Sequence, residues 1–190
     1  MDRRIAVRIS PLFFALLSWL LLYERETLAA GCLAASLIHE CGHLTVMLAV
    51  GAYPEELTVG AFGMRITRRE DVRCTFLQDL CIAAGGPFVN LVCAAVFFLL
   101  GARLAAALHL VTAALNLLPI AALDGGQMLL CFFYRRKSRE AAQHIVYVCS
   151  LLTIFPLGVF GFFVLLRSGC NVSLLAVDVY LLLLLFLKKC

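Results

Sequence analysis

Read for its apolar and polar positions, the chain alternates long apolar runs with short polar breaks. Six runs approach the ~20 residues of helix that cross ~30 Å of hydrocarbon: roughly 9–23, 28–50, 75–100, 103–133 with an interruption, 144–166 and 172–187. The pattern predicts an all-α polytopic membrane protein of about six transmembrane helices. One polar break differs from the rest. Residues 57 to 67, "LTVGAFGMRIT", are β-branched and aromatic with Gly60 and Gly63 as bends, and predict a short β-like segment between the second and third helices. "YERET" follows the first run where a cleaved signal peptide would carry small residues, so that run is expected to stay as a helix. The whole chain, residues 1–190, then reads as a single membrane-embedded domain.

Composition and charge turn this pattern into a topology. At 63% hydrophobic and 15% charged over 190 residues, the chain is too apolar for a soluble domain with a wetted surface. Thirteen of the 16 lysines and arginines fall at the two ends and in the 51–74 and 134–143 loops; only Arg25, Arg103 and Arg167 lie on the other side. By the positive-inside rule both termini are expected in the cytoplasm, with the protein a multi-pass component of the cell membrane. The net charge of +4 then reflects topology and contact with the lipid bilayer, and predicts no nucleic-acid partner. The nine cysteines are scattered without a C-x-x-C pair and read as small apolar fillers.

Against that background the polar stretch "SLIHECGHLTVM", residues 36 to 47, stands out. His39 and His43 are four apart, so on a helix they share a face one turn apart and can turn ring nitrogens to one metal ion. Glu40 is offset round the helix, where it misses the metal and holds a water beside it. This is the H-E-x-x-H logic of a zinc hydrolase. By composition alone it would arise in about three such chains per thousand. The alternative is a polar helix–helix contact bridged by the histidines.

Two histidines need a third protein ligand at the same depth. "ALNLLPIAALDGGQM", residues 114 to 128, offers Asp124 in the fourth run. With ~1.5 Å of rise per residue, His43 lies ~10 Å and Asp124 ~15 Å from the cytoplasmic ends of their runs. Pro119 before Asp124 and Gly125 and Gly126 after it are expected to break the helix locally, turn the carboxylate inward and admit water.

These motifs resemble the site-2 protease family of intramembrane zinc metalloproteases: H-E-x-x-H in the second helix, and N-x-x-P-x-x-x-L-D-G in the fourth, here Asn116, Pro119, Leu123, Asp124 and Gly125. Gly86, Pro87 and Asn90 are similar to the family's third-helix G-P-x-x-N. The resemblance covers roughly residues 28–135, and the short chain is similar to the small bacterial branch that includes the stage IV sporulation protease. It implies one Zn2+ per chain held by His39, His43 and Asp124, Glu40 as catalytic base, and Asn116 holding the substrate backbone or oxyanion. It also implies a membrane-anchored or membrane-associated regulatory protein as substrate, such as a precursor of a transcription or sigma factor, with regulatory membrane proteins as further partners.

Several residues keep two readings. Asn116 either donates to the oxyanion or caps the backbone freed by Pro119. Asn90 is expected to brace a break in the third helix. Residues 57 to 67 either pair with an unwound substrate or form a plain loop. His109 and His144 lie away from the metal's depth and read as interface histidines; Asp178 either lines a cavity or pairs with a neighbouring helix. From other classes, a divalent-metal transporter would need relay ligands at several depths. A catalytically idle scaffold would not need Glu40 beside zinc ligands.

Overall fold

The computed structural model describes residues 6–9, 26–60, 63–68, 74–168 and 173–187. In chain order the elements are β1 (Ala6–Ile9), α1 (Glu26–Ala49), β2 (Pro54–Gly60), β3 (Gly63–Arg68), α2 (Phe76–Leu99), α3 (Arg103–Asn116), α4 (Asp124–Tyr134), α5 (Arg139–Ser168) and α6 (Ser173–Leu187). They fall into two compact units, Met1–Ala114 and Leu115–Cys190. By length and composition α1, α2 and α5 can each cross a membrane, and the protein is a helical, polytopic membrane protein. The helix expected over 9–23 lies outside the described residues except for Ile9, which ends β1.

The first unit is packed in the sense a bilayer demands, with small and polar groups inside and large apolar ones outside. Along α2, Ala83, Gly85, Gly86, Pro87, Asn90 and Ala94 are buried, while Phe98 and Leu99 are 69% and 83% exposed. In α3 the buried face is Ala106, His109 and Ala113, spaced three and four apart as one helical stripe. Close approach of α1 to α2 depends on glycine. A Cβ on Gly42 would lie 2.5 Å from the Gly85 carbonyl oxygen, and one on Gly85 would lie 2.8 Å from that of Gly42.

The polar ends of these helices are closed locally. Gly51, at φ +74°, ends α1 in a left-handed turn: its N–H donates to Leu48 and the N–H of Ala52 donates to Met47, which satisfies the last carbonyls. Thr75 and Gln78 form a capping box at the start of α2, and Gln78 Nε2 donates to the Val50 carbonyl at 3.3 Å. The end of one span is thereby tied to the start of the next.

The strands form a three-stranded sheet in the order β1-β2-β3. The β-like segment expected at 57–67 forms its antiparallel pair, with Leu57 opposite Ile66 and Gly60 opposite Gly63. The sequence reading had not included β1, which runs parallel to β2 with Val7 opposite Leu57. Four residues ahead of a long apolar run carry too short a pattern to be read as a strand before their partner is known.

In the second unit, Ile120, Ile154, Leu181 and Leu185 form the core. The interruption expected in the fourth run is residues 117–123, between α3 and α4. Irregular backbone at membrane depth must find partners within the protein, and here side chains supply them. The Ala121 N–H donates to Ser150 Oγ at 2.8 Å, and Gln127 Nε2 donates to the Ala121 carbonyl at 2.7 Å.

Gly125 and Gly126 do not break the helix, contrary to expectation. They lie within α4 and are buried, and a Cβ on either would strike the carbonyl of Leu117 or of Ile120. Their bare Cα atoms let the preceding loop fold against the first turn that carries Asp124. Pro87 likewise lies inside an unbroken α2, so the expected break at Asn90 is absent.

Candidate metal centre

The two histidines of the H-E-x-x-H motif lie on one buried face of α1, His39 5% and His43 8% exposed. Their rings meet edge to face with centroids 4.8 Å apart, and their Nε2 atoms are 3.2 Å apart. Two ligands on one tetrahedral zinc ion, each ~2.0–2.1 Å from it, would stand ~3.3 Å apart. The pair therefore fits such an ion. Gly86 of α2 faces them, and a Cβ there would stand 2.7 Å from His39 Nε2 and strike His43 Nε2. The space before the two nitrogens exists because residue 86 has no side chain.

Each ring is held from behind. His43 Nδ1 lies 2.7 Å from the Ile82 carbonyl, a contact that calls for a proton on Nδ1 because a carbonyl only accepts; the Gly86 N–H reaches the same atom at 3.3 Å. His39 Nδ1 accepts from Asn90 Nδ2 at 3.2 Å. Asn90 Oδ1 in turn accepts from His109 Nδ1 at 2.9 Å, and His109 stacks on Phe97 with centroids 5.4 Å apart. Asn90 is wholly buried and His109 is 3% exposed. A hydrogen bond to the far nitrogen of a histidine orients its ring and sets its tautomer.

Sequence reasoning set His109 apart as a plain interface histidine and Asn90 as a brace. The structure instead joins both to His39. One signal was available: His109 lies on the same stripe as Ala106 and Ala113, where small residues mark the inward face of a membrane helix.

The remaining candidates can be placed individually. Glu40, next to His39 on α1, is half-buried. Asn116 is the last residue of α3 and is half-buried. Asp124 opens α4, with its Oδ2 shut off from solvent. A carboxylate in the first turn also faces the positive end of the helix dipole. His144 is exposed. Asp178 of α6 is buried beside Gly158 of α5 and lines an apolar cavity of about 830 Å³, one of the two readings left open for it. None of the seven described cysteines forms a disulfide.

The whole-chain comparison decides the fold. The structure is similar to the site-2 protease from Methanocaldococcus jannaschii with a TM-score of 0.70, over 95% of this chain and 90% of that one, at 17% sequence identity. The chain carries the site-2 protease fold. Peptidase family M50 also matches, over residues 102–157, a stretch that includes Asn116, Pro119 and Asp124. No curated protein matches the sequence. The resemblance to site-2 proteases read from three short motifs is thus met by the architecture of almost the entire chain.

Proposed function

We propose that this chain is one catalytic domain, an intramembrane zinc endopeptidase that hydrolyses a peptide bond in or near the transmembrane segment of a membrane-anchored regulatory protein. The observation that carries the reading is the pair of buried Nε2 atoms 3.2 Å apart before a glycine whose Cβ would fill the space. On this reading Asp124 joins His39 and His43 as the third ligand, and two imidazoles with a carboxylate are a zinc hydrolase's donor set.

Zinc bound there would lower the pKa of a water toward ~7 and polarise the scissile carbonyl. The protein's own groups do the rest. The Glu40 carboxylate takes a proton from the attacking water and returns it to the nitrogen of the leaving amine. The Asn116 amide offers a neutral donor to the oxygen that gains charge. A peptide bond inside a substrate helix is shielded by its own hydrogen bonds, so the substrate must first be drawn out. The β2–β3 hairpin provides strand backbone for that segment to pair with.

With both termini in the cytoplasm, water enters from the cytoplasmic side, and the cut falls in the inner half of the substrate span. Spans with Gly, Pro or Asn near that end open more readily and are cut faster.

The decisive experiment co-expresses candidate single-span substrates with the wild type and with Glu40→Gln. Glu40→Gln is expected to retain zinc and fold while cleavage is lost, because an amide cannot accept the proton. Normal turnover by this variant would remove the mechanism. Mass spectrometry of the fragments locates the cut, and sites in the outer half of the span would overturn the orientation.

A further inference from the structure

We propose that His109 is a positioning residue for the metal site, acting through Asn90 to select the tautomer of His39. This rests on the reading of His39 as a zinc ligand. The groups form one directed chain of hydrogen bonds. His109 Nδ1 donates to Asn90 Oδ1 and Asn90 Nδ2 donates to His39 Nδ1. With the His43 proton on Nδ1 toward the Ile82 carbonyl at 2.7 Å, the nearer of that atom's two contacts, the other being the Gly86 N–H at 3.3 Å, His39 Nε2 stands as the donor to His43 Nε2. Every donor in this order meets an acceptor.

A carboxamide has one accepting end and one donating end. With Asn90 between two Nδ1 atoms, His39 and His109 must answer it in opposite senses: where one presents N–H, the other presents a lone pair. In this order the His39 proton sits on Nε2 and is given to His43, so that Nε2 cannot ligate. A neutral His39 that offers Nε2 to an ion carries its proton on Nδ1. That proton needs the Asn90 carbonyl, so the amide must turn over and direct its N–H at His109. His109 accepts it only with its own proton on Nε2. Both rings stay neutral with one proton each, and only the positions change.

Asn90 is therefore a two-position lever between the ligand and His109. Its wholly buried amide has no water to turn to. The second position holds only if the far end supplies a lone pair, which His109 Nδ1 does. Without His109, one end of the amide is orphaned in either position. An orphaned carbonyl is better tolerated than an orphaned N–H, so the amide would keep its N–H on His39 and hold the histidines against each other. Loss of His109 should thus weaken metal binding although His109 touches no ligand.

The experiment uses the full-length protein in detergent and measures Zn2+ affinity by competition with a chromophoric chelator. His109→Phe keeps a ring over Phe97 and removes Nδ1; it is expected to bind zinc about ten- to a hundredfold more weakly, the usual cost of losing a group that orients a metal-binding histidine. His109→Asn places a polar atom near the position of Nδ1 and is expected to stay close to wild type.

Asn90→Asp replaces the lever with a group that accepts at both ends, so His39 keeps its proton on Nδ1 whatever stands at 109. The double variant Asn90→Asp, His109→Phe is expected to regain wild-type affinity. That rescue separates the lever from simple packing. The proposal falls if His109→Phe binds zinc as the wild type does, or if the double variant is as weak as His109→Phe. A His39→Ala control that leaves zinc affinity unchanged would overturn the ligand assignment itself, and this inference with it.

Discussion

Each unit of this protein buries polar groups among apolar helices, and one group from each makes a contrast. In the first, His109, Asn90, His39 and His43 hand hydrogen bonds from one to the next and end on a backbone carbonyl. In the second, Asp178 is pressed against Gly158, and its buried Oδ1 meets no hydrogen-bond partner. A buried polar atom left without a partner costs about 1–3 kcal/mol. The histidine chain avoids that cost at every link and gains a defined orientation, whereas the aspartate carries the cost and orients nothing. Burial therefore does not by itself mark a site among these helices. Directed partners do.

The sharpest way to break this contrast is to fill the space before the histidines. Gly86→Val would drive methyl groups into both rings, and zinc retained per purified chain is expected to fall to background. Retention at the wild-type level would show that the space is not where the ion sits.

A smaller effect is expected where the backbone of the second unit is satisfied by a side chain. Ser150→Ala removes the acceptor of the Ala121 N–H and should cost about 1–3 kcal/mol of stability, read as a lower midpoint of unfolding in detergent. Cleavage should fall too, because this loop leads into the turn that carries Asp124. Unchanged stability would mean that the loop finds other partners.

At the isolated carboxylate the contact is steric. A Cβ on Gly158 would stand 2.5 Å from Asp178 Oδ2, so Gly158→Ala is expected to cost about 1–3 kcal/mol by overpacking. Adding Asp178→Ala should restore most of that loss; additive losses would deny the contact. The least effect is expected from Asp178→Ala alone. Removing a polar atom that lacks a partner should change stability by less than about 1 kcal/mol and leave zinc affinity unchanged. A large fall in either would place Asp178 in the working site.

Much of the architecture is legible in local pattern, because the information lies within single elements. Apolar runs of sufficient length become α1, α2 and α5, since the bilayer sets that length. His39 and His43 share a face because four residues are about one helical turn. Residues 57–60 and 63–67 pair as antiparallel strands because β-branched positions flank two glycines. In each case the physical cause acts over a few neighbouring residues, and the next element is not needed to see it.

What local pattern misreads is what depends on how elements meet. Gly125 and Gly126 look like helix breakers, yet they lie inside α4, because the loop before them packs where a Cβ would stand. Val7 becomes part of a strand only because Leu57 is opposite it. Asn90 and His109 are single polar residues in two apolar helices, and no spacing within either helix points to the other. Their joining to His39 depends on the depth and rotation at which α1, α2 and α3 pack, and Gly42 and Gly85 allow the close approach of the first two. Spacing along one helix was enough to put His39 and His43 on one face. Which tautomer they hold is decided by hydrogen bonds that pass from helix to helix, and those exist only in the packed structure.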